Sequence, residues 1–281
     1  MAHPEISGIA QEIRYLKSGS GPPLLLIHGL LGGSFCWRFN VPVFAKQYTT
    51  FAVDLPGFGE NDAPRHFDCS MQTQANRLSA LLGELELESV DVVGASWGGA
   101  VAIFLAAINR KVRSLVLAAP VNPWSDAGAG RIRFLNSRMG GALLRLALPI
   151  SRPLHLTALH RMYGDPARIS PGTLDGYSST VLRRSTAHNV LNTLRQWELD
   201  VNALPAAISH VKAPSLLIWG TRDGAVTLQS SNSLVQALPD CKLALIEGAG
   251  HLPFEETPDE FNRLVLNFLQ RIPIASGREP A

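Results

Sequence analysis

Three residues of this chain have the types and the order needed for acyl transfer: Ser96, Asp223 and His251. A serine hydroxyl is a weak nucleophile at neutral pH and needs a base within about 2.6–3.2 Å, itself held by a third group. A carboxylate behind the imidazole selects the tautomer whose free nitrogen faces the serine, and it stabilises the imidazolium formed on proton transfer. Ser96 stands inside Gly94-Ala95-Ser96-Trp97-Gly98-Gly99, a G-x-S-x-G turn. Side chains two positions before or after the serine would strike the neighbouring strand or helix, and Gly94 and Gly98 avoid that. His251 follows Gly250 in a loop rather than lying on an apolar helical face, and Asp223 follows Thr221-Arg222 at the end of an apolar run. Asp126 and Glu247 are rival candidates for the acid.

These residues need elements that bring distant segments together. Residues 90–93 and 100–108 read as a strand and a helix on either side of the serine turn. Residues 12–17 could form an outer strand. Residues 24–27 form a continuous apolar run of the kind buried between helices on both sheet faces, followed by His28-Gly29-Leu30-Leu31-Gly32-Gly33. That glycine-rich loop has no lysine and no G-x-x-x-x-G-K-[ST], so it reads as a source of a backbone amide rather than a phosphate cradle. His28 is assigned to fixing this loop by hydrogen bonds. Asp54, in Asp54-Leu55-Pro56-Gly57-Phe58-Gly59 after the strand at 50–53, is assigned a structural task. Leucines at 78, 81, 82 and 85 have helical spacing, and strands return at 112–117, 215–220 and 242–246 before a closing helix at 259–269. Strands and helices alternating in this way predict an α/β fold with a mostly parallel, doubly wound sheet.

Between 122 and 208 no strand-like run occurs. Helical stretches are expected at roughly 131–148, 154–163, 171–183 and 189–199, with interruptions at Gly140-Gly141, Pro149 and Gly164-Asp165-Pro166. A helical insertion at this point would cap the ligand edge of the sheet. The expected organisation is therefore a core of 1–121 and 209–272, a helical cap of 122–208 and a flexible tail of 273–281, with removal of the cap damaging turnover more than core stability. From 127 to 200 the sequence has ten arginines, no lysine and four acids. This excess reads either as attraction for an acidic substrate or anionic surface, or as solubility alone.

The whole chain of 281 residues is 46% apolar and 17% charged, with a formal charge of +2. That balance gives no reason to expect nucleic acid as a partner. The start, MAHPEISG, has no basic segment followed by an apolar stretch, and no window approaches about eighteen uninterrupted apolar residues. A cytoplasmic protein without stable membrane insertion is expected. Cys36, Cys69 and Cys241 are scattered and lack C-x-x-C spacing, which suits core filler in a reducing compartment. No metal and no cofactor are called for: His155 and His160 are off one helical face, and H-E-x-x-H is absent.

GASWGG at 94–99, HGLLGG at 28–33, DLPGFG at 54–59, WGTRD at 219–223 and GAGHLPFEETP at 248–258 together resemble the α/β-hydrolase superfamily in its capped, esterase-like branch. The resemblance implies Ser96 as nucleophile, Asp223 as acid and His251 as base, with the amides of Leu30 and Trp97 as an oxyanion hole. It implies a serine hydrolase, and the apolar side chains Leu30, Leu31, Phe35, Trp97, Leu252 and Phe254 beside these motifs point to a small, uncharged or weakly charged carboxylic ester with an apolar acyl part of short to medium length. Leu31, Phe35, Trp37, Leu252 and Phe254 are candidate pocket residues, and the ring of Trp97 could join them. Carbon–carbon bond hydrolases of ring-cleavage products also use a serine, although Leu252 stands where they usually carry an aromatic. Cofactor-free peroxidases share the triad as well. A ligand-binding protein on the same fold is the non-enzymatic alternative.

Overall fold

The computed structural model describes residues 6–10, 12–64, 66–126, 128–148 and 152–273. Eight strands form one sheet in the order β1-β2-β4-β3-β5-β6-β7-β8. They are β1 (Ile6–Ala10), β2 (Ile13–Ser18), β3 (Pro23–Ile27), β4 (Thr49–Asp54), β5 (Val90–Ala95), β6 (Val112–Ala118), β7 (Ser215–Gly220) and β8 (Cys241–Ile246). From β4 to β8 every pairing is parallel, whereas β1 and β2 pair antiparallel at one edge. The outer strand expected at 12–17 is β2. Its partner β1 was not anticipated: it is short, carries Gly8 and has little apolar alternation to betray it.

Side chains of the central strands alternate between two cores, as the two-residue period of a strand requires. Leu25, Ile27, Val92, Leu115, Leu117, Leu217 and Trp219 face one side, where α2 (Met71–Glu84) and α3 (Ser96–Ile108) cover them. Leu24, Leu26, Val93, Val116, Leu216 and Ile218 face the other, packed with Trp37, with Phe44 of α1 (Val41–Phe44) and with Phe261 of the closing helix. Strands buried on both faces explain why the sequence reads there as unbroken apolar runs.

The segment between β6 and β7 is helical: α4 (Ala129–Asn136), α5 (Arg138–Ala147), α6 (Arg152–Met162), α7 (Thr173–Val181) and α8 (Arg184–His210). The single helix expected at 131–148 is two. Ser137 has extended backbone and caps α5 by accepting from the Gly140 amide, so the break falls three residues before Gly140-Gly141. A Cβ at Gly140 would collide with the Phe134 carbonyl, so the glycine is what lets α4 and α5 meet at this corner. The break expected at Pro149 and the tail from 274 lie outside the described residues.

The helix expected at 189–199 extends far in both directions, and the boundary at 208 falls inside it. Val190, Leu194, Leu204, Ala207 and Ile208 of α8 are buried in the same core as α2 and α3. Most of α8 thus belongs structurally to the sheet's helical layer. After β7 and β8 come α9 (Ser230–Ala237), α10 (Pro253–Glu256) and α11 (Pro258–Leu269). Cys36 and Cys69 are buried free thiols and Cys241 is half-buried, with burial pushing Cys69 and Cys241 up to about 12.

Candidate active site

Strand order decides where the site lies. The chain runs from β3 outward to β4, then returns to the other side of β3 as β5, so the connections leaving β3 and β5 diverge and leave a crevice at their carboxyl ends. Ser96 is the first residue of α3, directly after β5, with φ of 52°. A non-glycine residue in this left-handed region is strained, and the strain holds the side chain out of both strand and helix. A Cβ at Gly94 would come within 2.7 Å of the Gly98 carbonyl oxygen, and one at Gly98 would collide with the His28 carbonyl. The two glycines therefore let strand, turn and helix close on each other.

The loop after β3 is drawn against this turn. A Cβ on Gly29 would lie 3.2 Å from Ser96 Cβ, so the backbone leading into Leu30 runs beside the hydroxyl-bearing residue. His28 is fully buried, with Nδ1 2.8 Å from the Gly29 carbonyl and Nε2 accepting from the Leu55 amide at 3.0 Å. Burial lowers its pKa, which suits a neutral imidazole protonated on Nδ1. Asp54 fixes the same loop from β4: one carboxylate oxygen accepts from the Ser34 amide at 2.5 Å and the other from the Glu60 amide at 3.3 Å. Both residues have the structural tasks expected of them.

His251 is brought in by the loop after β8 and Asp223 by the loop after β7. Nε2 of His251 is 2.8 Å from Ser96 Oγ, and Nδ1 is 2.8 Å from Asp223 Oδ2. The Asp223 carboxylate is fully buried and the imidazole nearly so. Its other oxygen accepts from the amides of Ala225 and Val226 at 2.8 and 3.0 Å. The rival acids Asp126 and Glu247 are exposed, and among the described residues the carboxylate bonded to His251 is that of Asp223.

Two expected pocket residues are core instead. Trp37 and Phe254 are 0% and 2% exposed and pack ring against ring at 4.7 Å, with Phe261 beside both. A surface that a water-sized sphere cannot touch lines no pocket. The Trp97 ring is likewise enclosed, against Phe58 at 5.2 Å, so it lines no pocket either. Leu30, Leu31, Phe35 and Leu252 keep partial exposure. Leu31 packs against the cluster of Leu148, Val181 and Ala187, and Phe35 meets Tyr177 of α7 edge to face at 5.8 Å.

Sequence reading missed a pair of buried acids, Glu255 and Glu256. The Glu256 carboxylate accepts from three amides: Gly250 at 2.7 Å, just before His251, and Gly164 and Asp165 at 2.9 Å, at the end of α6. The His251 amide itself donates to the Met162 carbonyl at 2.6 Å. Glu255 holds Arg38 at 3.1 Å, the Tyr163 hydroxyl at 2.9 Å and the Tyr177 hydroxyl, while Arg38 also reaches Thr173 Oγ1 at 2.8 Å. Burial works against the Arg38 charge, but the Glu255 carboxylate beside it wins and raises its pKa. Burial, aided by Glu255, pushes both tyrosine hydroxyls well up. The acids thus tie the helical segment to the loop bearing His251. The one signal available was two adjacent acids inside an otherwise apolar turn, with the cation that pairs Glu255 standing 217 positions earlier.

Comparison with known proteins agrees with this architecture. The sequence model for the alpha/beta hydrolase fold matches residues 22–258. Lipase 1 of Psychrobacter immobilis is 31% identical over 260 residues, covering 88% of this chain and 77% of that protein. The 2-hydroxy-6-oxo-6-phenylhexa-2,4-dienoate hydrolase of Comamonas testosteroni is 27% identical over 269 residues, covering 92% and 91%. The solved structure of the hydrolase of the same name from Rhodococcus sp. strain RHA1 superposes with a TM-score of 0.80 at 19% identity, covering 95% of this chain and 99% of that one. With its sheet order, its serine turn and a family match over most of its length, the chain belongs to the alpha/beta hydrolase fold family.

Proposed function

We propose that the protein hydrolyses carboxylic esters with an apolar acyl part through an acyl-enzyme on Ser96. The observation that carries this reading is the unbroken run of hydrogen bonds from Ser96 Oγ through His251 to the buried carboxylate of Asp223. In the proposed reaction His251 Nε2 takes the Ser96 proton as Oγ attacks the ester carbonyl carbon, and the amides of Leu30 and Trp97 receive the oxyanion. The carbonyl re-forms as the alcohol departs with the proton from His251. Water then attacks the acyl-enzyme, again losing its proton to His251, and the acid leaves with Ser96 restored. Trp97 suits its role as the second residue of α3, since the first amides of a helix have no carbonyl within the helix to bond.

The half-exposed Leu30, Leu31, Phe35 and Leu252 favour an apolar acyl group, and each methylene they cover contributes about 0.8 kcal/mol. The helical segment 122–181 acts as a cap that excludes water, strengthening hydrogen bonds to the intermediate. The protein takes a small-molecule substrate and works in the cytoplasm.

The test is a series of nitrophenyl esters of increasing acyl length, run beside an amide and a ring-cleavage dienoate. A burst of nitrophenol equal to the enzyme, lost in Ser96→Ala and His251→Ala, is expected, with turnover falling on the order of a million-fold. A serine-reactive phosphonate should modify Ser96. A kcat/KM far higher for the dienoate than for every ester would assign the protein to carbon–carbon bond hydrolysis instead.

A further inference from the structure

From 127 to 164 the sequence has six arginines, at 131, 133, 138, 145, 152 and 161, and not one aspartate or glutamate. Arg152 bonds to Asp175 of α7. Arg131, Arg133, Arg138 and Arg145 are exposed and make no ion pair among the described residues. Such a cationic surface by itself distinguishes little. The same helices, however, turn apolar side chains outward. On α5, Met139, Leu143 and Leu146 recur on one helical face and are 65%, 51% and 70% exposed. Phe134 of α4 and Leu156 of α6 add to the exposed apolar surface. The inner face of α5 is satisfied: Leu144 packs against the buried cluster that Leu148, just after the helix, forms with Val181 and Ala187. The outward apolar stripe therefore has no task in folding. α6 is held to the end of α5, with His155 Nε2 2.8 Å from the Leu148 carbonyl and Nδ1 3.1 Å from Ser178 Oγ.

The geometry points to docking of α4–α6 onto an anionic lipid surface. A helix lying in a bilayer interface buries leucine and methionine at the acyl boundary while arginines beside them hold headgroup phosphates. Arg138 and Arg145 are spaced two turns apart along α5, each one residue before an outward apolar side chain. Nucleic acid would satisfy the arginines and leave the leucines in water. A second copy of this chain would cover the leucines but set unpaired arginines against arginines. No described helix is long and apolar enough to cross a membrane, so the attachment is peripheral. Because Leu31, which follows the oxyanion candidate Leu30, packs against the same cluster as Leu144 of α5, docking would set the bilayer against the roof of the site.

Flotation of the full protein with vesicles tests this. Binding is expected to vesicles of phosphatidylcholine with phosphatidylglycerol, not to phosphatidylcholine alone, and to weaken as salt rises. Arg138→Gln with Arg145→Gln should weaken it about five-fold for each arginine lost. Leu143→Gln with Leu146→Gln, which keeps all charge, should weaken it at least about ten-fold. Both exposed pairs should keep the parent's thermal midpoint and its turnover of a soluble nitrophenyl ester. Docking does not require chemistry, so Ser96→Ala should float as the parent does, and loss of hydrolysis and loss of binding are separable results. The proposal is overturned if the parent ignores anionic vesicles, or if both double variants bind as the parent does. It is equally overturned if light scattering finds a dimer that the leucine variant dissolves without any vesicle binding.

Discussion

Ser96 is held in a left-handed backbone conformation by the glycines around it, and its hydroxyl faces an imidazole whose far nitrogen is bonded to a carboxylate that water cannot reach. Asp223→Asn keeps the size of that side chain but removes the charge and lets an amide face His251 Nδ1, which favours the wrong tautomer. A fall in kcat on the order of ten-thousand-fold with an unchanged thermal midpoint is expected, and parent-like turnover would remove Asp223 from the reaction. Another buried carboxylate, Asp200 on α8, accepts from one amide among the described residues, that of Met71, at 2.9 Å. Burial pushes its pKa up to about 6. Its unfolded value is about 3.9, so between about pH 4 and 6 the folded protein keeps a proton that the unfolded chain has lost, and stability from this group falls as pH rises through that window. Asp200→Asn carries no such charge and keeps the acceptor. Thermal or urea unfolding should therefore find the variant gaining on the parent by about 1 kcal/mol from pH 4 to pH 7, allowing for screening at its exposed edge. A flat difference across that range would contradict it.

Among elements, α10 has a disproportionate influence for four residues, because its two glutamates connect the loop after β8 with α6 and α7. Glu256→Ala would strand three amides, at Gly164, Asp165 and Gly250, that now share one carboxylate. A loss of roughly 3 kcal/mol in chemical denaturation is expected, since buried donors without partners pay their full desolvation cost. Turnover should fall as well, because Gly250 leads directly into His251, and Glu256→Gln, which keeps one acceptor oxygen, should lose less of both. Parent-like stability and kcat in Glu256→Ala would mean that α6 and the histidine loop are held by other contacts.

For the whole molecule, the packing of α8 argues against the expectation that removing 122–208 damages turnover more than core stability. Val190, Leu194, Leu204 and Ile208 are almost wholly buried against the layer formed by α2 and α3. At about 1.5–3 kcal/mol for each large apolar side chain, removing four exceeds much of the 5–15 kcal/mol by which a domain is stable. Deletion of 122–208 should therefore yield a protein with no cooperative unfolding transition by circular dichroism. A cooperative transition near the parent's would restore the sheet as an independent unit.

Much of the site was legible because its parts are local. A G-x-S-x-G turn declares itself through glycines that the backbone needs within two residues of the serine, and a parallel strand through a continuous apolar run, so Ser96, His251 and the doubly wound sheet could be read directly. Asp223 could be ranked above Asp126 and Glu247 by its place after a buried strand. Pairing across the sheet was beyond that reach. The sequence could not tell that Trp37 and Phe254 stack into the core, because an aromatic beside a site and one beneath it have the same local pattern. Nor could it find the bond between Glu255 and Arg38, which depends on where two distant loops meet. α8 was legible only over 189–199, since Pro205 within it signals a break, although Val190, Leu194, Trp197, Val201, Leu204 and Ile208 keep helical spacing along it. Local backbone geometry and the apolar period of an element are written in the chain, whereas the burial of a loop side chain and contacts between distant segments exist only once the sheet has fixed their places.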